Sequence, residues 1–269
     1  MSTLALRSAP SRLRPRTAPS PWLRLISPVV VIVVWQLLSS TGILPAKLLA
    51  SPSTVVTTAI DLIRDGTLPH AITVSLQRAL IGFVVGAVIG VALAVVAGLS
   101  LFGEYLVDPP MQMLRTLPFY GLIPLLILWF GIGELPKIVL VAFGTVIPLY
   151  LNTFAGIRSV DGKLAEVARV QRLSRFGLIR HIVLPGALPQ ALVGLRQSLG
   201  VAWLALIVAE QVNADAGIGF MINDAREFLR TDIIVVGLLV YSLLGLLTDA
   251  IVRLIERKAL VWRRGLLGN

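Results

Sequence analysis

Apolar residues in this chain run together in six blocks, at about 25–43, 74–98, 113–132, 137–156, 187–211 and 233–253. Each is close to the roughly twenty residues that an α-helix needs to cross a bilayer. The pattern predicts six transmembrane helices. Pro118 and Pro124 fall inside the third block, where a missing N–H and a ring clash with the preceding turn predict a kink. Between the first two blocks, Val55, Val56, Ala59, Ile60 and Ile63 keep helical spacing and Gly66 supplies a stop. A short interfacial helix on the outer face is expected over 53–65. The second block carries Gly82, Gly86, Gly90, Ala94 and Gly98 at a spacing of four, hence along one helix face. Such a face lets another backbone approach where lipid gives no hydrophobic drive for association. It suits packing inside one bundle or across a dimer.

Composition narrows the class. The 269 residues are 56% hydrophobic and 14% charged, with a mean hydropathy of +0.87. A soluble domain keeps a larger charged share, so an all-α integral membrane protein is expected. There is no cysteine, which excludes disulfides and thiolate metal sites. With only His70 and His181 as imidazoles, no metal centre is expected.

The formal charge of +10 reflects basic residues gathered in particular loops, so no nucleic-acid partner is expected. Arg7, Arg12, Arg14, Arg16 and Arg24 lie before the first block. Arg158, Lys163, Arg169, Arg172, Arg175 and Arg180 lie between the fourth and fifth, and Arg253, Arg257, Lys258, Arg263 and Arg264 at the end. Six spans put all three clusters on one side, the cytoplasm by the positive-inside rule, with both termini there. Residues 1–24 then read as a disordered basic cytoplasmic tail, 25–258 as the transmembrane domain and 259–269 as a cytoplasmic C-terminal tail.

The stretch 161–185 is too long and regular for a turn. Asp161 is placed to cap one short helix and Ser174 a second, which Pro185 and Gly186 are expected to end. Such an arm is a grip for a partner. The chain has no G-x-x-x-x-G-K-[ST] sequence, so any use of ATP falls to another subunit.

Within that arm, Glu166-Val167-Ala168 is followed by Ile182 and by Leu184-Pro185. The arrangement resembles the EAA loop of ATP-binding-cassette importer permeases: Glu-Ala-Ala, three residues, Gly, nine residues, Ile, one residue, Leu-Pro. The spacing from Glu166 to Ile182 and Pro185 matches; Val167 replaces the first Ala and Arg172 the Gly. Stretches such as 112–118, 127–132, 184–189 and 225–229 are also similar to permeases of the sulfonate, taurine and nitrate group, aliphatic sulfonate permeases most of all.

The resemblance implies a type I importer permease of the bacterial cytoplasmic membrane: two copies pairing around one path, two ATPase subunits on the cytoplasmic loops, and a substrate-binding protein on the outer face. ATP and Mg would sit in the ATPase, with no cofactor in this chain. It implies that Glu166, Ala168, Arg169, Arg172, Arg175, Ile182 and Pro185 form the coupling surface. For Glu166 the rival reading is simple stabilisation of a helix start. For the arginines it is orientation and contact with lipid headgroups.

Ionisable residues inside spans are costly and mark function or paired structure. Arg196 is the foremost: either its guanidinium meets an anion on the path, or it pairs with a carboxylate. Trp203 either lines the path or packs, and Glu210 has a gate or packing role. Arg78 and Asp249 are expected to snorkel from helix ends. A secondary transporter would show related halves, and a membrane enzyme a nucleophile–base pair or metal ligands. Neither pattern is present in the sequence.

Overall fold

The computed structural model describes residues 23–264. Of the two expected tails, residues 1–22 and 265–269 lie outside the described residues. Among the described residues the chain is helical without strands: α1 (Leu23–Ser40), α2 (Pro52–Arg64), α3 (Thr67–Leu99), α4 (Leu101–Leu114), α5 (Phe119–Phe130), α6 (Glu134–Arg158), α7 (Gly162–Val170), α8 (Arg175–Leu178), α9 (Leu184–Asn213), α10 (Ile218–Glu227), α11 (Thr231–Ala259) and α12 (Val261–Arg264). A single π-helical turn, Ile179–Val183, joins α8 to α9. Four of these, α3, α6, the α8–α9 rod and α11, are long and apolar enough to cross a membrane.

The third apolar block is not one kinked helix. Its residues fall in α4 and α5, separated by a break at Arg115–Pro118. Pro118 stands in extended backbone as the cap of α5, because a proline there cannot continue the helix before it. The twelve residues of α5 reach about 18 Å, short of a bilayer core, so any crossing here needs α4 and α5 together. The expected interfacial helix is α2, started by Ser51, whose hydroxyl accepts the Thr54 N–H.

At the centre stands α6. Gly82 of α3 meets Val141, Gly86 meets Ala142 and Thr145, Gly90 meets Val146, and Gly98 meets Ile157, so α3 and α6 run parallel. On its other side Gly156 meets Ala187, Gly194 meets Asn152, and the Ser198 hydroxyl donates to the Thr145 carbonyl at 3.1 Å, so α9 runs antiparallel. The small-residue ladder therefore packs within one chain. Tyr150 of α6 donates to Asp108 of α4 at 3.1 Å, and Arg158 pairs with Glu104 at 3.4 Å.

The start of α11 is tied to α2 and the preceding loop: Thr58 donates to Asp232 at 2.9 Å and Thr231 to the Ala46 carbonyl at 2.8 Å. Arg230, just outside α11, forks the same Asp232, and that bond pushes the guanidinium pKa up.

A Cβ at Gly86 would lie 2.4 Å from the Ala142 carbonyl oxygen, whereas one at Gly200 meets nothing within 4 Å. Gly86→Leu is expected to lower stability by roughly 1–3 kcal/mol or more, and Gly200→Ala to leave it nearly unchanged. Thermal unfolding of detergent-solubilised protein, followed by tryptophan fluorescence, checks the contrast.

Candidate functional site

The two ends of the bundle carry different chemistry. At one end lies the arm. Asp161 accepts the Lys163 N–H on its carboxylate at 2.9 Å and the Leu164 N–H on its carbonyl at 3.0 Å, which starts α7. Leu173 closes the helix by donating to the Ala168 carbonyl at 2.9 Å, with Arg172 at φ +55°. This is the helix stop that glycine usually makes, because a Cβ in that conformation costs about 1–2 kcal/mol. Arg172 thus takes the backbone conformation a glycine would favour. Ser174 caps α8 by accepting the Gly177 N–H at 3.1 Å.

Pro185 and Gly186 do not end the second helix. The chain runs on as one helical rod from Arg175 to Val212. Pro185 occupies the first turn of α9, and the Leu184 N–H reaches back five residues to the Ile179 carbonyl. Widening one turn avoids the clash of a proline ring with the carbonyl four residues earlier, so the helix survives.

Along the arm, Glu166, Arg172 and Arg175 are exposed, Ala168 is buried, and Ile182 and Pro185 are half-buried at the π turn and the start of α9. The side chain of Arg169 lies outside what the structure describes. Leu164, Val167, Val170 and Phe176 are exposed apolar residues interleaved with these charges.

At the opposite end a charge cluster is sealed among α3, α6, α9, α10 and α11. The Glu210 carboxylate, buried, accepts from Ser75 Oγ at 2.8 Å, Arg78 Nη1 at 2.8 Å, the Gly219 N–H at 2.8 Å and Tyr241 Oη at 3.0 Å. Ser75 Oγ in turn accepts the Ile218 N–H at 2.9 Å. A Cβ at Gly217 would sit 2.4 Å from Glu210 Oε1, so only glycine lets the backbone approach here. Arg78 also donates to the Ala216 carbonyl at 2.5 Å and forks Glu134, Nε to Oε2 at 2.5 Å and Nη2 to Oε1 at 2.6 Å. Lys137 Nζ donates to Glu134 Oε1 at 2.9 Å.

The expectation that Arg78 snorkels is overturned: its side chain is buried and paired with Glu134 and Glu210, because the start of α6, α9 and the loop before α10 close over it. Ser75, Glu134, Lys137 and Tyr241 escaped the sequence reading. The available signal was a matched level: Arg78 early in α3, Glu134 and Lys137 opening α6, and Glu210 late in the antiparallel α9.

Arg196 lies elsewhere, half-exposed between α9 and α11, 3.4 Å from Asp249 and 2.5 Å from Glu256. Asp249 also pairs with Arg253. Trp203 packs edge-on to Tyr241 with centroids 6.1 Å apart and donates to Thr248 at 3.3 Å. Gly82, Gly86 and Gly90 lie against α6, away from both ends.

Residues 86–261 match the family described as the inner membrane component of binding-protein-dependent transport systems. A Bacillus subtilis (strain 168) protein named as an aliphatic sulfonates transport permease is 44% identical over 265 residues, covering 98% of this chain and 94% of its own. An Escherichia coli (strain K12) protein with the same name is 49% identical over 243 residues, covering 90% of this chain and 91% of its own. In fold, the chain is similar to the crystal structure of an amino acid ABC transporter with histidines, at a TM-score of 0.59 and 16% identity. That match covers 70% of this chain and 92% of that one.

Glu210→Ala would leave Arg78, Ser75, Tyr241 and the Gly219 N–H without their shared acceptor. Loss of one partner from a buried pair costs about 3–5 kcal/mol, so the variant is expected to unfold at a much lower temperature in detergent. Arg172→Gly removes the Cβ strain at φ +55° and is expected to raise stability by up to roughly 1 kcal/mol in the same assay.

Proposed function

The chain belongs to the family of binding-protein-dependent transport system inner membrane components, and from that premise we propose that it is the membrane-spanning subunit of an ATP-driven importer of aliphatic sulfonates. The observation that carries the substrate is the 44% and 49% identity, over nearly the whole length, to two relatives named for aliphatic sulfonates.

Six crossings serve this role: α1, α3, the broken pair α4–α5, α6, the α8–α9 rod and α11. The basic residues of the arm and of the end of α11 mark the cytoplasmic side. The α10 end then faces the substrate-binding protein.

Two copies of the chain enclose one path, and two ATPase subunits grip the arms. Exposed apolar residues beside Glu166, Arg172 and Arg175 support that docking, since an apolar patch on a water-facing segment marks a protein contact. ATP and Mg belong to the ATPase. The closing ATPase dimer moves the arms, and the arms must contact it differently in the two states for ATP to bias access. Half-exposed Arg196 is placed to meet an anion on the path, while buried Trp203 and Glu210 shape its wall from behind.

Reconstitution in lipid with the ATPase subunit and binding protein tests the proposal. Alkanesulfonates are expected to stimulate ATP hydrolysis, and Glu166→Lys to cut that stimulation by at least about tenfold through reversed charge at the contact. Stimulation by taurine or nitrate instead would keep the importer and replace the substrate. If no ATPase subunit associates with the chain, the importer reading fails.

A further inference from the structure

The cluster at the α10 end contains an imbalance. The side chains of Arg78 and Lys137 are 4% and 3% exposed, yet the carboxylate that they share, Glu134, is 53% exposed. Its two oxygens serve three donors: Oε2 accepts from Arg78 Nε, while Oε1 is shared by Arg78 Nη2 and Lys137 Nζ. Among the described residues, the Lys137 ammonium donates one hydrogen bond, to Glu134. A sulfonate carries the same charge and three oxygens, one for each donor. Replacing a carboxylate by a sulfonate leaves the charge balance of the buried cations intact, which is the condition for such an exchange at membrane depth.

Glu134 is only partly enclosed. It opens α6 directly after Gly131 and Gly133, whose φ values of 75° and 155° suit a glycine hinge. Half in water already, its carboxylate gives up little burial on swinging out. Space for a ligand adjoins it: a cleft of about 400 Å³ is lined by the polar residues Gln77, Arg78 and Glu134 and by the apolar residues Val74, Ile81 and Ile138. A second cleft of about 310 Å³ is lined by Glu134, Lys137 and Asp215 among others.

We infer that Arg78 and Lys137 form an anion subsite that Glu134 occupies as a displaceable counter-ion, and that its ligand is a sulfonate head with an alkyl tail against Val74, Ile81 and Ile138. The inference rests on the sulfonate reading above and adds where this chain first holds the anion. Glu210 is not displaced, because it is sealed and holds Arg78 in place from the opposite side.

The test uses the permease with its ATPase subunits in lipid nanodiscs, without binding protein, and measures butanesulfonate binding by saturation-transfer NMR. Glu134→Gln is expected to bind about tenfold more tightly than the unsubstituted chain, and Lys137→Met about tenfold more weakly with recovery in Lys137→Arg. Taurine, whose ammonium would face the apolar wall, is expected to bind more weakly than butanesulfonate. Unchanged affinity in Glu134→Gln, unchanged affinity in Lys137→Met, or no binding to any variant would overturn the subsite; Glu134→Ala repeats the first comparison should the glutamine variant misfold. ATP hydrolysis stimulated by sulfonate-loaded binding protein separates the two readings. Stimulation without these affinity changes sinks the subsite alone, and no stimulation by any sulfonate sinks the substrate reading.

Discussion

The close approach of three backbones around α6 is the constraint from which the rest of the arrangement follows. Lipid tails are as apolar as leucine, so helices in a bilayer associate through van der Waals packing and hydrogen bonds. Glycine removes the side chain that would hold backbones apart, and here it does so on both flanks of α6: Gly82, Gly86, Gly90 and Gly98 from α3, and Gly194 from α9, joined by Gly156 of α6 itself. With α6 held this tightly, its first residue, Glu134, and its last, Arg158, are fixed at opposite ends of the bundle.

Those ends are built on opposite principles. At the α10 end, the groups around Glu210 are buried and matched donor to acceptor, as a low-dielectric site requires. Glu210 of α9 gathers donors from three other helices, α3, α10 and α11, onto one carboxylate. At the arm, α7 and α8 are short, a non-glycine residue closes the turn at positive φ, and a π turn follows. Leu164, Val167, Val170 and Phe176 stay exposed there. An arm of this kind has little of its own packing to hold one position, which suits the docking role proposed for it. One helical rod, α8 through α9, runs from the arm to Glu210.

Glu134 combines the two principles. It completes the buried cluster yet stands half in water, just after Gly131 and Gly133 at positive φ. Arg196, by contrast, lies away from this cluster, half-exposed beside two carboxylates of α11.

The sequence alone determined the elements governed by local rules. The long apolar blocks mark α3, α6, α9 and α11 because a helix that meets lipid must be apolar along its length. Asp161 and Ser174 mark the starts of α7 and α8 because a cap acts within one turn, and the spacing from Glu166 to Pro185 carried the family resemblance. The tertiary structure alone decided what depends on several elements meeting. It chose the partner of the glycine ladder, and it broke the third block at Pro118 into two helices. It let the rod run through Pro185 by widening a turn. It also turned Arg78 from a residue near a helix end into the centre of a buried cluster. A charge's environment is set by whatever closes over it, and here the closing groups, Glu134 and Glu210, lie 56 and 132 residues away along the chain.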